Sequence, residues 1–431
     1  MRRFGEWRHG VALAGLLLLA AGDTPGDYGG VRRAWADARA TARADPARAL
    51  PSFDALVAEA PGNNGLLLSA ISAARKAGDK ARVARWVAAY VAQGGGFARS
   101  DVDTFVAELG SLADHAVLAK GLANAAPLGQ ASVAAEVPSA LHLIEGVAWD
   151  PARRAVLVSS VIDRTVVRIG ARGVPVELLR LAPETGSPMA LAFDARRALL
   201  WAAADGAPFE GGAGSGGLAR VGADGNPVLL TAPGVATLHL GDLTLGPDGS
   251  VYAGDSRNGA IYRCPPGCLQ LDILVPPGKL RSAQGMAVSP DGDRLWVSDY
   301  GYGLLAVTLP GGETARVRPG LGMALDGIDG MVLRRGRLIA VQNGAAPARL
   351  IEIALDRAGT AATGLRVLAR GGAAAEDPTQ VALAPGGSLL MVANAQWPLY
   401  MRGPEAGREG QAVTRIVRFG AVRAVPSRGT R

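Results

Sequence analysis

QGMAVSPDGDRLWVSD, residues 284–299, is a short apolar strand, a Ser-Pro-Asp-Gly turn and a second apolar strand that ends on small polar residues. Asp-Gly between two apolar runs is a hairpin signal, because a tight turn needs a residue that tolerates positive φ. The first half of the unit occurs six times: EGVAWDPARR (145–154), MALAFDARR (189–197), GDLTLGPDG (241–249), QGMAVSPDG (284–292), DGMVLRRG (329–336) and TQVALAPGG (379–387). A second strand follows each, AVLVSS, LLWAAA, VYAGD, LWVSD, LIAVQN and LLMVAN, and then a third such as TVVRI, AIYRC or TRIVRF. Fourth strands are found in VELLRL (176–181), LQLDILV (269–275) and LRVLA (365–369). The units begin at 145, 189, 241, 284, 329 and 379, at spacings of 43 to 52 residues. Six units of four strands specify a mainly β fold, a six-bladed β-propeller over 131–425. A β-sandwich would use the strands but not the six-fold period. ASVAAEV (131–137) is expected to supply the outer strand of the last blade, so that the ring closes without a long free edge.

Residues 31–128 differ. Alanine is frequent and apolar residues recur at helical spacing. Leu66, Leu67, Ile71 and Ala74 form one stripe that Gly78-Asp79 ends; Val83, Trp86, Val87, Tyr90 and Val91 form the next, ended by Gly94-Gly95-Gly96. Ser100 with Asp103 is expected to cap a further helix carrying Val102, Phe105, Val106 and Leu109. Two helices in about thirty residues resemble a tetratricopeptide-type hairpin. The aromatic stripe is expected to pack on a neighbouring helix or on the side of the propeller.

The chain has 431 residues, 49% hydrophobic and 19% charged, which suits a folded protein of two parts. Its 59 glycines recur at turns. The net charge of +7 comes mainly from scattered arginines, with no basic block and interleaved aromatics to track a nucleic acid, so no nucleic-acid partner is expected. Arg2, Arg3 and Arg8 precede the apolar run VALAGLLLLAA (11–21). A basic start, a short apolar core and small residues after it make residues 1–22 an export signal, too short to span a bilayer comfortably. The expected location is periplasmic or secreted, with membrane contact only through this segment if it stays uncleaved. In that setting the only cysteines, Cys264 and Cys268, are expected to pair across the Pro-Pro-Gly turn as a local staple.

Topology then locates a candidate site. In an up-and-down blade, the loop into the first strand and the loop between the second and third strands share one face. Glu145, Met189, Gly241, Gln284, Asp329 and Thr379 should therefore ring the mouth of the central channel. The long loops 205–216 and 395–412, with Phe209, Trp397 and Tyr400, should overhang it, as should Tyr300 and Tyr302 of the fourth blade. The Cys264–Cys268 turn falls on the opposite face. Two acids across a channel mouth are costly to desolvate unless a cation or water meets them. Glu145, Gln284 and Asp329 each offer an oxygen to a divalent cation; the alternative is an open, wet channel with both acids solvated.

The units EGVAWD, DLTLGPDGSVYAGDS, QGMAVSPDGDRLWVSD and IDGMVL resemble the senescence marker protein/gluconolactonase/luciferin-regenerating enzyme family of six-bladed propellers, over about 140–420. The resemblance implies one divalent cation, Ca²⁺ or Zn²⁺, held at the mouth by Glu145, Gln284 and Asp329, and hydrolysis of a sugar lactone or similar ester. Water attack on the lactone carbonyl would use Asp329, or Asp242 beside it, as the proton acceptor. His239, Tyr300, Trp397 and Tyr400 are the expected substrate contacts. The chain departs from the family pattern at Gln284, where the family has Asn, at Gly241, where it has a second Asn, and at His239, where it has Arg. The second expectation is a non-catalytic propeller that binds a ligand or a periplasmic protein at the same mouth.

Overall fold

The computed structural model describes residues 24–170, 173–209, 211–401 and 403–420; the expected export segment, 1–22, lies outside the described residues. Six helices come first: α1 Gly29–Ala44, α2 Pro46–Glu59, α3 Asn64–Ala77, α4 Lys80–Ala92, α5 Arg99–Leu109 and α6 His115–Ala125. Local chemistry sets their ends. The side chains of Asp45, Asn63, Asp79 and Asp114 accept hydrogen bonds from the first-turn N–H groups of α2, α3, α4 and α6. Gly78 ends α3 in the left-handed conformation. The start of α5 differs from the expected Ser100 cap: the helix begins at Arg99, and the Asp101 carboxylate accepts the N–H of Ala98. Ser100 lies inside the first turn, where its carbonyl bonds Thr104.

The propeller follows. Its four-stranded antiparallel sheets run 144–180, 187–230, 240–275, 283–316, 331–370 and 381–419, the last completed by Ser132–Val137. That strand, from before the first blade, pairs with Thr414–Phe419 and closes the ring as expected. Thr24–Pro25 adds a fifth strand to the outer edge of blade four. The Cys264–Cys268 disulfide is present, on the turn between the last two strands of blade three.

The innermost strands explain a small feature of the repeat. In blades one, four and five the ring residue is followed by glycine. A Cβ at Gly285 would lie 2.7 Å from the carbonyl oxygen of Asp329, and one at Gly330 would lie 2.7 Å from that of Thr379. Neighbouring blades converge there, so only glycine lets the next backbone approach. Each ring side chain is thereby presented at the mouth while the chain beside it stays close to the axis.

The helices pack on blades four and five. Trp35 meets Tyr302 edge to face, and Asn63 donates to the carbonyls of Gly301 and Tyr302. Tyr302 thus belongs to this interface and not to the mouth. Asp326, on the loop into blade five, accepts the backbone N–H groups of Asn64 and Gly65 at the start of α3. Arg349, 2% exposed, donates to the Gln342 amide oxygen and to the Gln93 carbonyl at the end of α4. Among the described residues, no helix is long and apolar enough to cross a membrane.

Candidate functional site

A cavity of about 580 Å³ opens at the mouth, lined by Glu145, Met189, Gly241, Gln284 and Asp329 among others. Five of the six expected ring positions therefore reach it. Thr379 does not: it is buried, and its hydroxyl donates to the Glu145 carbonyl. Its place at the cavity is taken by Asp377, two residues earlier, where the loop into blade six bridges in parallel to Asn394.

Each facing acid is held by one neutral donor. The indole N–H of Trp397 donates to Glu145 Oε2 at 2.6 Å. Asn343 donates to Asp329 Oδ2 at 2.6 Å and is itself oriented by the Tyr300 hydroxyl, 2.7 Å from its Oδ1. Among the described residues, Glu145 Oε1 and Asp329 Oδ1 have no hydrogen-bond donor, which leaves one oxygen of each free for a ligand. Burial drives both groups up. Glu145 is held well above the usual carboxylate range by burial and then by the charge of Asp329. Asp329 is pushed up to about 7, chiefly by burial, with the Asn343 bond opposing the shift and Asp377 adding to it. Asp377 is raised by burial as well. Against the four acids of the lining, Glu145, Asp205, Asp329 and Asp377, there is among the described residues one basic side chain, Arg257, exposed at the rim.

Gln284 and Gly241 form a pair. A Cβ on Gly241 would lie 3.1 Å from Gln284 Oε1 and 3.5 Å from its Nε2. The longer glutamine therefore lays its amide over blade three, in the space that glycine leaves empty. Glycine at 241 and glutamine at 284 are thus one local arrangement, and an amide oxygen remains at the cavity.

Three expected site residues sit elsewhere. Asp242 lies below the cavity, 2% exposed. It accepts from the N–H of Leu243 and from Gln380 at Oδ1, and from the N–H of Met286 at Oδ2, so it ties blades three, four and six together across the axis. Burial pushes it up to about 7 against those bonds. With both oxygens engaged it is placed to hold the ring and not to meet water in the cavity. His239 does not line the cavity; its Nδ1 is 2.8 Å from Asp205 Oδ1, and Asp205 lines the wall in its stead. Tyr400 is 1% exposed, packs with Leu143, Val161, Ile162 and Met189, and donates to Gln411. The reason is local: residues 397–400 form one helical turn, so Trp397, Pro398 and Met401 face the cavity while Tyr400 turns inward to blade one. Tyr300 and Trp397 line the cavity as expected.

The free oxygens of Glu145 and Asp329 and the Gln284 amide suit a hard cation with oxygen ligands, such as Ca²⁺ or Mn²⁺, better than Zn²⁺, because among the described residues the cavity lining holds no imidazole or thiolate. Among the described residues, no group of three or more His, Cys, Asp or Glu is placed to hold a metal ion.

No protein-family model matches the chain, and no curated protein sequence does. Among solved structures, the fold is similar to a gluconolactonase from Xanthomonas campestris, at 19% identity over 69% of this chain and 92% of that one, with a TM-score of 0.48. It is similar to a calcium-binding regucalcin from Agrobacterium tumefaciens, at 18% identity over 66% of this chain and 93% of that one, TM-score 0.45. It is also similar to a PQQ-bound aldose sugar dehydrogenase from Streptomyces coelicolor, at 20% identity over 68% of this chain and 99% of that one, TM-score 0.45.

Proposed function

We propose that this chain is a divalent-cation-dependent hydrolase of a lactone or similar ester, working outside the cytoplasm. The observation that carries the reading is the pair Glu145 and Asp329, each with one oxygen held and one free, at a cavity where burial opposes their charge. Such an arrangement is costly alone and favourable around a cation. The export-type start and the Cys264–Cys268 pair support the location.

A cation held by Glu145, Gln284 and Asp329 would supply polarisation of the ester carbonyl. The protein's own share is positional. Trp397 fixes Glu145, and the Tyr300–Asn343 chain fixes Asp329. Asp329, held at Oδ2 by Asn343, would stand beside a water polarised by the cation and is the carboxylate placed to take its proton. Arg257 at the rim can steady a developing negative charge.

The same hydrogen bonds favour a second reading. Each acid already has a neutral partner, so the mouth is tolerable without metal and would serve a non-catalytic propeller that holds a ligand or a periplasmic protein. Hydrolysis of a panel of lactones and aryl esters, with and without chelator, separates the two. The hydrolase reading expects turnover that chelation abolishes, and losses of about 100-fold or more in Asp329→Asn and Glu145→Gln. Turnover absent across the panel, in protein that is folded and cation-loaded, leaves the binding reading.

A further inference from the structure

The mouth is lopsided. Its apolar wall comes from the two long loops: Pro208 from blade two and Trp397, Pro398 and Met401 from blade six, backed by the Phe209 ring 6.0 Å from that of Trp397. Met401 is 79% exposed above an acidic floor. The opposite wall, from blades three to five, is polar, with Ser256, Arg257, Ser282, Gln284 and Asn343. The cause is loop length. Second-to-third-strand connections are short in blades three and four, 256–260 and 300–302, and long in blades two and six, 206–216 and 393–413.

An exposed thioether and indole edge facing a cavity are a cost in water unless a ligand covers them. The hydroxyls of a polyhydroxylated ring would find no side-chain partners on Pro208, Pro398 and Met401, and the Trp397 N–H is already given to Glu145. On that wall an anionic group would find no cationic partner among the described residues. From this we infer that the ligand is neutral and two-ended: a lactone or ester whose carbonyl end faces Glu145, Gln284 and Asp329, and whose alkyl or aryl substituent lies on Pro208, Trp397, Pro398 and Met401. This narrows the hydrolase reading and rests on it for the carbonyl end. It sets the substrate class apart from the sugar lactones that the sequence resemblance implies.

Lactams test it, because they copy the ring and do not hydrolyse. Calorimetry on the full chain with Ca²⁺ compares a δ-lactam carrying a hexyl chain, the unsubstituted δ-lactam and a polyhydroxylated δ-lactam, in wild type and in Met401→Ser. The hexyl lactam should bind at least about tenfold tighter than the other two, and Met401→Ser should remove about three- to tenfold of that preference while leaving the unsubstituted lactam unchanged. Equal or tighter binding of the polyhydroxylated lactam overturns the inference, as does a preference that Met401→Ser does not alter or the absence of binding by all three. Turnover of the matching lactones is read separately. Hydrolysis of the sugar lactone in preference to the alkyl one removes the inference and keeps the hydrolase; tight hexyl-lactam binding with no lactone hydrolysed keeps the two-ended site and removes the hydrolase.

Discussion

Asp326 and Asp329 stand three residues apart on the loop into blade five, and burial raises both. They do opposite work. Asp326 receives two backbone N–H groups from the start of α3, each at 3.0 Å, with the positive end of the helix dipole behind them. Asp329 receives one side-chain amide and faces a cavity that contains three more acids, Glu145, Asp205 and Asp377. One carboxylate is satisfied by the fold, and the other is left partly unsatisfied where a ligand can reach it. Burial alone does not mark a functional acid; what surrounds the second oxygen does.

The comparison breaks first at Asp326. Asp326→Ala leaves two N–H groups at the start of α3 without their acceptor, one of them buried, and it removes the charge facing the buried Arg349 guanidinium. The expected loss is about 2–4 kcal/mol in denaturant unfolding. Asp329→Asn should do the reverse. It keeps an acceptor for Asn343 and removes a buried charge beside Glu145 and Asp377, so without added cation the stability should stay level or rise by about 1 kcal/mol. Equal losses in the two variants would erase the distinction.

Asp242 sharpens the comparison with a smaller effect. It is a fully engaged acid, like Asp326, yet burial still pushes it up to about 7 from an ordinary 3.8. Below pH about 4 it is protonated whether the chain is folded or not. Between about 4 and 7 only the unfolded chain ionises, so the stability it contributes is lost as pH rises to 7. Glu145, Asp329 and Asp377 shift in the same direction. Cation-free protein should therefore have a higher denaturant midpoint at pH 5 than at pH 8. Asp242→Asn should narrow that gap while costing about 1–2 kcal/mol for the bond lost to Met286. A gap unchanged in the variant would mean that Asp242 does not titrate in this range.

The sequence made the propeller legible because hairpin turns and alternating apolar strands recur with one period, and local chemistry suffices to read them. The acids at 145 and 329 were legible for the same reason: the first-strand position fixes the face. What lay outside its reach depends on irregular loops. Asp377 enters the mouth because the chain into blade six does not follow the other five. Asn343 follows a strand end whose equivalents in other blades hold turns, as Asp255 does by accepting the N–H groups of Arg257 and Asn258. Tyr400 and Trp397 differ by three residues, and only the helical turn at 397–400 decides which of them faces the cavity. The dock of α3 on Asp326 has no periodic signature, since it joins residues 262 apart in the chain.

The hydrolase reading requires a cation at the mouth, held by Glu145 and Asp329. Calorimetric titration of chelator-stripped protein with Ca²⁺, Mn²⁺ and Zn²⁺ meets it directly, with Asp329→Ala and Met401→Ser run beside the wild type. One saturable site is expected, tighter for Ca²⁺ or Mn²⁺ than for Zn²⁺, kept in Met401→Ser and gone in Asp329→Ala. No saturable binding by any of the three ions, or the same isotherm from Asp329→Ala, would contradict it.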